Sequence, residues 1–130
     1  MGRKSQLVGK GGEFAVIGEL IDKGFAVYTP VADFENIDCI IRTRRGHVDI
    51  QIKTRGKQFL WDVQKFKPRD DFFIICYRKS DPGTFWVFPS KVFKKHSNFI
   101  KKYNRYRLVL SGRKQDLLAR YRNNFRQLKR

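Results

Sequence analysis

The stretch from residue 37 to residue 54, IDCIIRTRRGHVDIQIKT, holds two apolar segments joined by the turn-forming sequence RTRRG. Apolar and polar residues alternate within each segment, which is the period of a β-strand with one buried face. We therefore predict a β-hairpin with strands over 37–43 and 47–54. In the second strand Ile50 and Ile52 share the face that points to the core.

The polar side chains of this hairpin also share a face. Asp49, Gln51 and Lys53 alternate with the isoleucines of the second strand. If the loop contains an even number of residues, Asp38 lies on that same face, opposite Gln51 or Lys53; an odd loop places it on the other face. An ordinary solvent-exposed strand face is the simpler alternative, and the hairpin alone leaves both interpretations open.

The rest of the chain predicts an α/β or α+β domain with a mixed central β-sheet. We treat residues 1–130 as a single domain. The predicted segments are a flexible basic arm over 1–10, a helix over 12–23 ended by Gly24, strands over 25–29, 72–78, 85–89 and 105–110, a connector over 59–71, a turn at 81–83, a helical segment over 90–103 and a basic C-terminal helix over 113–130.

Positive charge dominates the composition. The chain has 29 Lys and Arg against 12 Asp and Glu, a net charge of +17, and residues 91–130 hold 14 of the basic residues with Asp116 as their one acid. Such a field favours a polyanion, because each neutralised phosphate releases counterions. Nucleic acid is therefore the expected partner, and a membrane surface is the weaker alternative.

The sequence predicts a cytoplasmic, nucleoid-associated protein. It has neither a secretory signal nor an apolar run of membrane-spanning length, and we expect no membrane partner. Cys39 and Cys76 lie within apolar strand-like runs, as reduced core cysteines do, and they form no CxxC pair that would bind zinc.

One acidic residue of the first helix falls within its apolar side. Phe14, Ile17, Leu20 and Ile21 define the apolar face at helical spacing. Glu13 projects between Leu20 and Ile17, where a carboxylate is costly unless it is paired or bound to a metal. A first-turn glutamate favoured by the helix dipole is the equally weighted alternative.

Four polar residues from the helix and the hairpin can converge: Glu13, Asp38, Gln51 and Lys53. Two carboxylates and an amide oxygen are the hard ligands that Mg²⁺ prefers. A lysine beside them can hold a water molecule or stabilise charge that develops on a phosphate. In a strongly cationic protein the matching substrate is a phosphodiester.

At these residues the sequence resembles the PD-(D/E)XK nuclease superfamily. The pattern is a helix Glu in GGEFAVIGELIDKGF, an Asp in NIDCII, and Gln-Ile-Lys in IQIKT. The spacing resembles that of the small single-domain branch, with archaeal Holliday junction resolvases and an intron-encoded homing endonuclease. Gln51 departs from the usual acidic residue, so the site loses one negative charge.

The resemblance implies an α/β fold with a restriction-endonuclease-like core, in which a mixed central β-sheet is flanked by helices. It also implies a Mg²⁺- or Mn²⁺-dependent endodeoxyribonuclease without a small-molecule cofactor. Asp38, Gln51, Glu13 and the backbone carbonyl of Ile52 would bind the metal, and Lys53 would orient the attacking water. A non-catalytic nucleic-acid-binding module of the same fold is the alternative, supported by Gln51. A basic RNA binder of ribosomal type explains the charge but not Glu13.

The expected partner is double-stranded DNA, either a homing-type target or a four-way junction, held by a homodimer or homotetramer. The basic residues predicted to contact it are Lys10, Arg44, Arg45, Arg55 and Lys57.

Overall fold

The computed structural model describes residues 3–32, 35–80 and 84–129. The turn predicted at 81–83 lies outside them. The helices and strands of the described residues are α1 (Arg3–Asp22), β1 (Ala26–Tyr28), β2 (Cys39–Thr43), β3 (Gly46–Arg55), β4 (Leu60–Gln64), β5 (Phe72–Arg78), β6 (Phe85–Pro89), α2 (Ser90–His96), β7 (Asn98–Ile100), β8 (Arg105–Val109) and α3 (Gly112–Leu117).

Five strands form a main sheet in the order β1-β2-β3-β5-β6. β3 and β5 run parallel and the other neighbours antiparallel, so the sheet is mixed, as predicted. The hairpin of β2 and β3 is closed by Arg44 and Arg45. The loop therefore has the even length that the predicted position of Asp38 required.

Three further strands form a second sheet in the order β4-β8-β7. The connector predicted over 59–71 and the helical segment predicted over 90–103 are wrong in part, because they contain β4 and β7. In this sheet Leu60 of β4 pairs with Val109 of β8. Sequence patterns identify hairpins whose strands are joined by short loops. They do not indicate that β4 pairs with β8, because the two strands are far apart along the chain.

Two apolar clusters cover opposite faces of the main sheet. The first joins Val16 and Leu20 of α1 to strand residues such as Ile50. The second fills the layer between the two sheets and includes Ile74 and Trp61. Helix α1 and the second sheet are thus held on opposite sides of β3, which places this strand at the centre of the molecule.

Gln51 and Lys53 point into the layer between the two sheets. In the ladder of β3 and β5, Gln51 lies beside Ile74 and Lys53 beside Cys76, and both partners belong to the second cluster. Gln51 is 4% exposed. The face that these two polar residues share is therefore internal, and the alternative of a solvated strand face is wrong for Gln51.

Helix α1 begins at Arg3 and so extends through most of the segment predicted as a flexible arm. Four glycines between residues 9 and 18 disfavour a helix by propensity, and packing against the sheet overrides that signal. Among the described residues no helix is both long enough and apolar enough to cross a bilayer.

The buried row of α1 differs from the predicted apolar face. Gly12, Val16 and Leu20, four residues apart, are buried. Phe14 and Ile21 were predicted to face the core and are 67% and 57% exposed. The helix is rotated toward its glycine side because Gly12 lets the backbone approach β3.

The C-terminal segment is not the single helix predicted over 113–130. α3 is short, and 3₁₀ turns follow at Ala119–Tyr121 and Phe125–Leu128. Asn123 interrupts them with a left-handed φ of 53°, and its side-chain oxygen accepts a hydrogen bond from the Phe85 N–H at 2.7 Å. The chain thus attaches to the edge strand β6 instead of continuing as a helix.

The contact between α1 and β3 predicts opposite effects at two glycines. A Cβ atom at Gly12 would overlap the side chain of Thr54, so we expect Gly12→Ala to lower the free energy of unfolding by about 1–3 kcal/mol. Gly18→Ala is the matched control, because nothing lies within 4 Å of its Cβ position. It should raise that free energy by about 0.5–1 kcal/mol. Urea unfolding measures both, and equal effects would contradict the close approach.

Candidate active site

Strand β2 is preceded by a bulge at Asp38. The Asp38 N–H donates to the carbonyl of Ile50 at 2.9 Å, while the next residue, Cys39, is the register partner of the same Ile50. Two residues of one strand thus oppose one residue of its neighbour, an arrangement that bends the strand and redirects a side chain. The even loop alone would place Asp38 on the face of Gln51; the bulge instead turns it toward α1, where it lines a cleft with Glu13.

The Asp38 carboxylate closes the free edge of β3. Its Oδ2 accepts a hydrogen bond from the Ile52 N–H at 2.6 Å. The alternate residues of β3 bond on the opposite side, where the Arg55 carbonyl accepts from the Lys79 N–H at 2.8 Å. Because the N–H and C=O of one strand residue point to the same side, the Ile52 carbonyl shares the edge occupied by Asp38.

Glu13 lies between two clefts on either side of this edge. A cleft of about 380 Å³ also contains Lys10 and Asp38, and a cleft of about 750 Å³ contains Lys53. The Glu13 side chain is 25% exposed and forms an ion pair with Lys10 at 3.7 Å. Since α1 begins at Arg3, Glu13 is not in the first turn of the helix, and the first-turn interpretation is wrong.

The larger cleft is built from both sheets and the start of α1. Its polar lining mixes cations and carboxylates, and glycines on its walls leave the backbone accessible. The residues that line it are Val8, Gly9, Glu13, Ile52, Lys53, Thr54, Arg55, Gly56, Trp61, Asp62 and Arg105.

Lys53 is a partly buried cation. Burial lowers its pKa from 10.5, and the positive charge of Arg105 lowers it further, while Asp38 and Asp62 act in the opposite direction. The ammonium group therefore lies within electrostatic reach of both carboxylates. It is held in the charged form less firmly than a surface lysine.

The Cys39 thiol lies near the carboxylates of Asp38 and Glu13, and their negative charges act on it. Burial, with the charges of Asp38 and Glu13, raises the pKa of Cys39 to about 12. The thiol therefore stays protonated and inert, as expected of a core cysteine. Its environment confirms that Asp38 and Glu13 act on the same small region.

The donors at the edge of β3 are oxygen atoms. Asp38 and Glu13 supply carboxylates and Ile52 supplies a carbonyl. The side chain of Gln51 points into the layer between the sheets and lines neither cleft. No three His, Cys, Asp or Glu side chains cluster as metal ligands in the part of the chain that the structure describes. An all-oxygen set with two carboxylates fits a hard cation such as Mg²⁺, which retains several water ligands.

The predicted DNA contacts fall in different places. Lys10 pairs with Glu13 and Arg55 lines the larger cleft. Lys57 is exposed just beyond the end of β3. Arg44 and Arg45 are at the opposite end of the hairpin, roughly 25 Å from Lys53 at the usual rise per strand residue, so they do not flank the site.

Sequence reasoning missed the contribution of the second sheet. Asp62 of β4 and Arg105 of β8 line the cleft beside Lys53. Asp62 also accepts two hydrogen bonds from Arg107, from Nε at 2.7 Å and from Nη2 at 3.0 Å. The alternating sequences LWDVQ and RYRLV carried the strand signal, but nothing in them indicated proximity to Lys53.

A mixed sheet with a bulged hairpin, an Asp at the strand edge and Lys53 beyond it defines the class of fold. It is a restriction-endonuclease-like fold, which confirms the fold that the motif resemblance predicted.

Two solved structures share this architecture. The bacterial homing endonuclease I-Ssp6803I is similar with a TM-score of 0.68 and 21% sequence identity, over 98% of this chain and 92% of that chain. Archaeoglobus fulgidus Hjc, a Holliday junction resolvase from an archaeal hyperthermophile, is similar with a TM-score of 0.53 and 16% identity, over 78% and 83% of the respective chains. No family model and no curated protein matches the sequence.

The hydrogen bond from the Ile52 N–H to the Asp38 carboxylate predicts how substitutions of Asp38 change the free energy of unfolding. Asp38→Ala leaves the part-buried Ile52 N–H without its acceptor, and we expect it to lower the free energy of unfolding by about 1–2 kcal/mol. Asp38→Asn retains an acceptor oxygen and should stay within about 1 kcal/mol of the wild type. Chemical denaturation distinguishes the two, and an Asn variant as unstable as the Ala variant would contradict the assigned bond.

The burial of Lys53 predicts a pH-dependent gain in stability on its removal. The folded-state pKa of Lys53 lies below 10.5, so the folded chain holds this proton less tightly than the unfolded chain. While the lysine is charged, its burial lowers the free energy of unfolding of the wild type. Lys53→Met should therefore be more stable than wild type at neutral pH. The difference should shrink as pH rises through the folded-state pKa toward 10.5.

The same denaturation series on Lys57→Met controls for the loss of one positive charge at an exposed position. A Lys53→Met protein less stable than wild type at neutral pH would mean that attraction to Asp38 and Asp62 outweighs burial.

Proposed function

We propose that this protein is a metal-dependent endonuclease that hydrolyses phosphodiester bonds of double-stranded DNA. The observation that carries the proposal is the Asp38 carboxylate fixed to the Ile52 N–H at the edge of β3, within electrostatic reach of Lys53. The nuclease fold and the names of both structural neighbours support it, and so does the net charge of +17.

A divalent metal, Mg²⁺ or Mn²⁺, would be held by Asp38, the Ile52 carbonyl and Glu13, with Gln51 as the further oxygen donor. When bound it would supply positive charge to the phosphate that is cut and acidify a bound water. Gln51 adds an oxygen without charge, so the site is expected to bind metal more weakly than one with an acidic residue there.

The protein's own cations carry the remaining roles. Lys53, with its lowered pKa, positions the attacking water and stabilises charge that develops on the phosphate. Arg55 and Arg105 line the same cleft and hold the flanking phosphates of the cleaved strand. Glu13 balances these cations between the two clefts.

Cleavage of both DNA strands requires two such sites, so we propose that the enzyme acts as a symmetric oligomer. Leu7, Phe14 and Ile21 of α1 are 63%, 67% and 57% exposed and recur every seven residues, which places them on one helix face. This face supports self-association of the chain as a homodimer or homotetramer.

The decisive experiment is cleavage of supercoiled plasmid, a synthetic four-way junction and linear duplex, each with Mg²⁺, with Mn²⁺ and with EDTA. We expect metal-dependent cleavage that falls by at least about 100-fold in Asp38→Asn and in Lys53→Met. Both variants retain the fold by the arguments above, so the loss would report chemistry. The substrate that is cut separates a junction enzyme from one that acts on a duplex target.

Gln51→Glu tests the missing charge, and we expect it to lower the Mg²⁺ concentration needed for half-maximal cleavage. Binding of all three substrates without cleavage would leave either the alternative, a non-catalytic DNA-binding module, or an enzyme whose specific target is not among the three. The sequence selected from a random duplex library is then the substrate that separates them, and no cleavage of it with Mg²⁺, in wild type or in Gln51→Glu, would replace the enzyme with the binding module.

A further inference from the structure

The second sheet has one buried and one open face. Trp61 and Val63 of β4 and Tyr106 and Leu108 of β8 are buried in the layer between the sheets. The residues that alternate with them point to the opposite side. We call the polar part of that side the outer face; it consists of Asp62, Gln64, Asn98, Arg105 and Arg107.

We infer that the outer face, through Gln64, Asn98 and Arg107, reads base sequence in the major groove of duplex DNA. This inference rests on the proposed nuclease function and names the surface that would select its target.

The register gathers the five residues into one patch. Across β4 and β8, Asp62 lies opposite Arg107 and Gln64 opposite Arg105. On the other side of β8, Asn98 lies opposite Arg107. A major groove of about 12 Å admits a two-stranded β-ribbon, and β4 and β8, whose axes lie about 4.8 Å apart, form such a ribbon.

The side-chain types are those that discriminate base edges. Arginine donates two hydrogen bonds to guanine, and asparagine and glutamine each pair with adenine. Lysine, the usual point-charge contact to phosphate, is absent from the outer face as defined. The cations that could contact phosphates lie beside it, since Lys101 and Lys102 are exposed in the 3₁₀ turn that follows β7.

Two of these side chains are already oriented. Asp62 holds the Nε and Nη2 of Arg107, which uses two of the five guanidinium N–H donors and leaves three to face the groove. The Asn36 Nδ2 donates to the Gln64 Oε1 at 2.6 Å, which leaves the Gln64 amide N–H groups free to donate. Such pre-orientation lowers the entropy cost of contacting a base.

The outer face continues into the proposed catalytic cleft. Asp62 and Arg105 belong to both, and Lys53 lies in the same cleft. DNA whose cleaved strand passes Lys53 would therefore present a groove to β8. A second copy of the chain is a less favoured occupant, because two arginines against one carboxylate would face a partner that carries the same net positive charge.

The test is selection of bound sequences from a randomised duplex library, in EDTA so that binding is measured without cleavage. We compare wild type, Arg107→Lys and Gln64→Ala with Arg44→Lys, which makes the same charge-conserving change at the far end of the hairpin. We expect wild type to select a consensus. Arg107→Lys should reduce the preference for one guanine by about tenfold, with affinity for random duplex within about twofold.

Gln64→Ala should relax a different position, and Arg44→Lys should retain the wild-type consensus. Thermal unfolding checks the variants, and Arg107→Lys keeps a cation opposite Asp62. The inference is overturned if wild type selects no consensus. It is also overturned if Arg107→Lys and Gln64→Ala weaken binding to all sequences by the same factor, or if they change only the oligomer mass measured by sedimentation.

The cleavage assay is separate from this selection. If Arg107→Lys or Gln64→Ala loses a base preference but still cleaves a plasmid that lacks the consensus, the result supports the outer face as the surface that reads sequence. If wild type selects a consensus but never cleaves it with metal, the nuclease proposal fails while the reading surface stands.

Discussion

The hydrogen bond between the Ile52 N–H and the Asp38 carboxylate is the contact on which the site depends. Strand β3 has no paired neighbour on this side beyond Cys39, and the Asp38 side-chain oxygen takes the place of a neighbouring backbone carbonyl. The Ile52 N–H therefore has a hydrogen-bond acceptor although no strand covers this edge. The same bond fixes the bulge that turns Asp38 toward α1 and leaves the Ile52 carbonyl beside it. A fully paired edge would be more regular, but it would leave no opening for a substrate.

Keeping that edge open has an energetic cost that the packing around β3 offsets. Lys53 is partly buried beside Arg105, and Gln51 is almost fully buried among apolar residues. Against this, Gly12 lets α1 approach Thr54, and apolar clusters cover both faces of the sheet. A polar site on the central strand is stable because rigid layers hold it from both sides, an arrangement typical of sites that trade stability for activity.

Local patterns predicted the features that depend on local contacts. Alternation identified the hairpin and its shared face at Gln51 and Lys53, and short apolar runs identified strands β5 and β6. The bulge at Asp38 could not be read this way, because it arises from the competition of two residues for Ile50. Nor could the exposure of Phe14, since the rotation of α1 is set by the fit of Gly12 against Thr54. The second sheet joins segments more than forty residues apart, and the C-terminal segment follows Asn123 onto β6.

Those non-local contacts also bear on what kind of DNA target the proposed enzyme would take. A junction-selective enzyme recognises shape, which phosphate contacts from lysines and arginines can supply without reading bases. The second sheet adds something different, since it places Arg107 with an orienting carboxylate, and Gln64 with an orienting amide, beside the cleft. Arginine and glutamine are side chains that pair with base edges in the major groove. On the proposal that the outer face reads bases, the target is a sequence-selective duplex and not a branched one, a distinction that resides in the sheet that local pattern did not reveal.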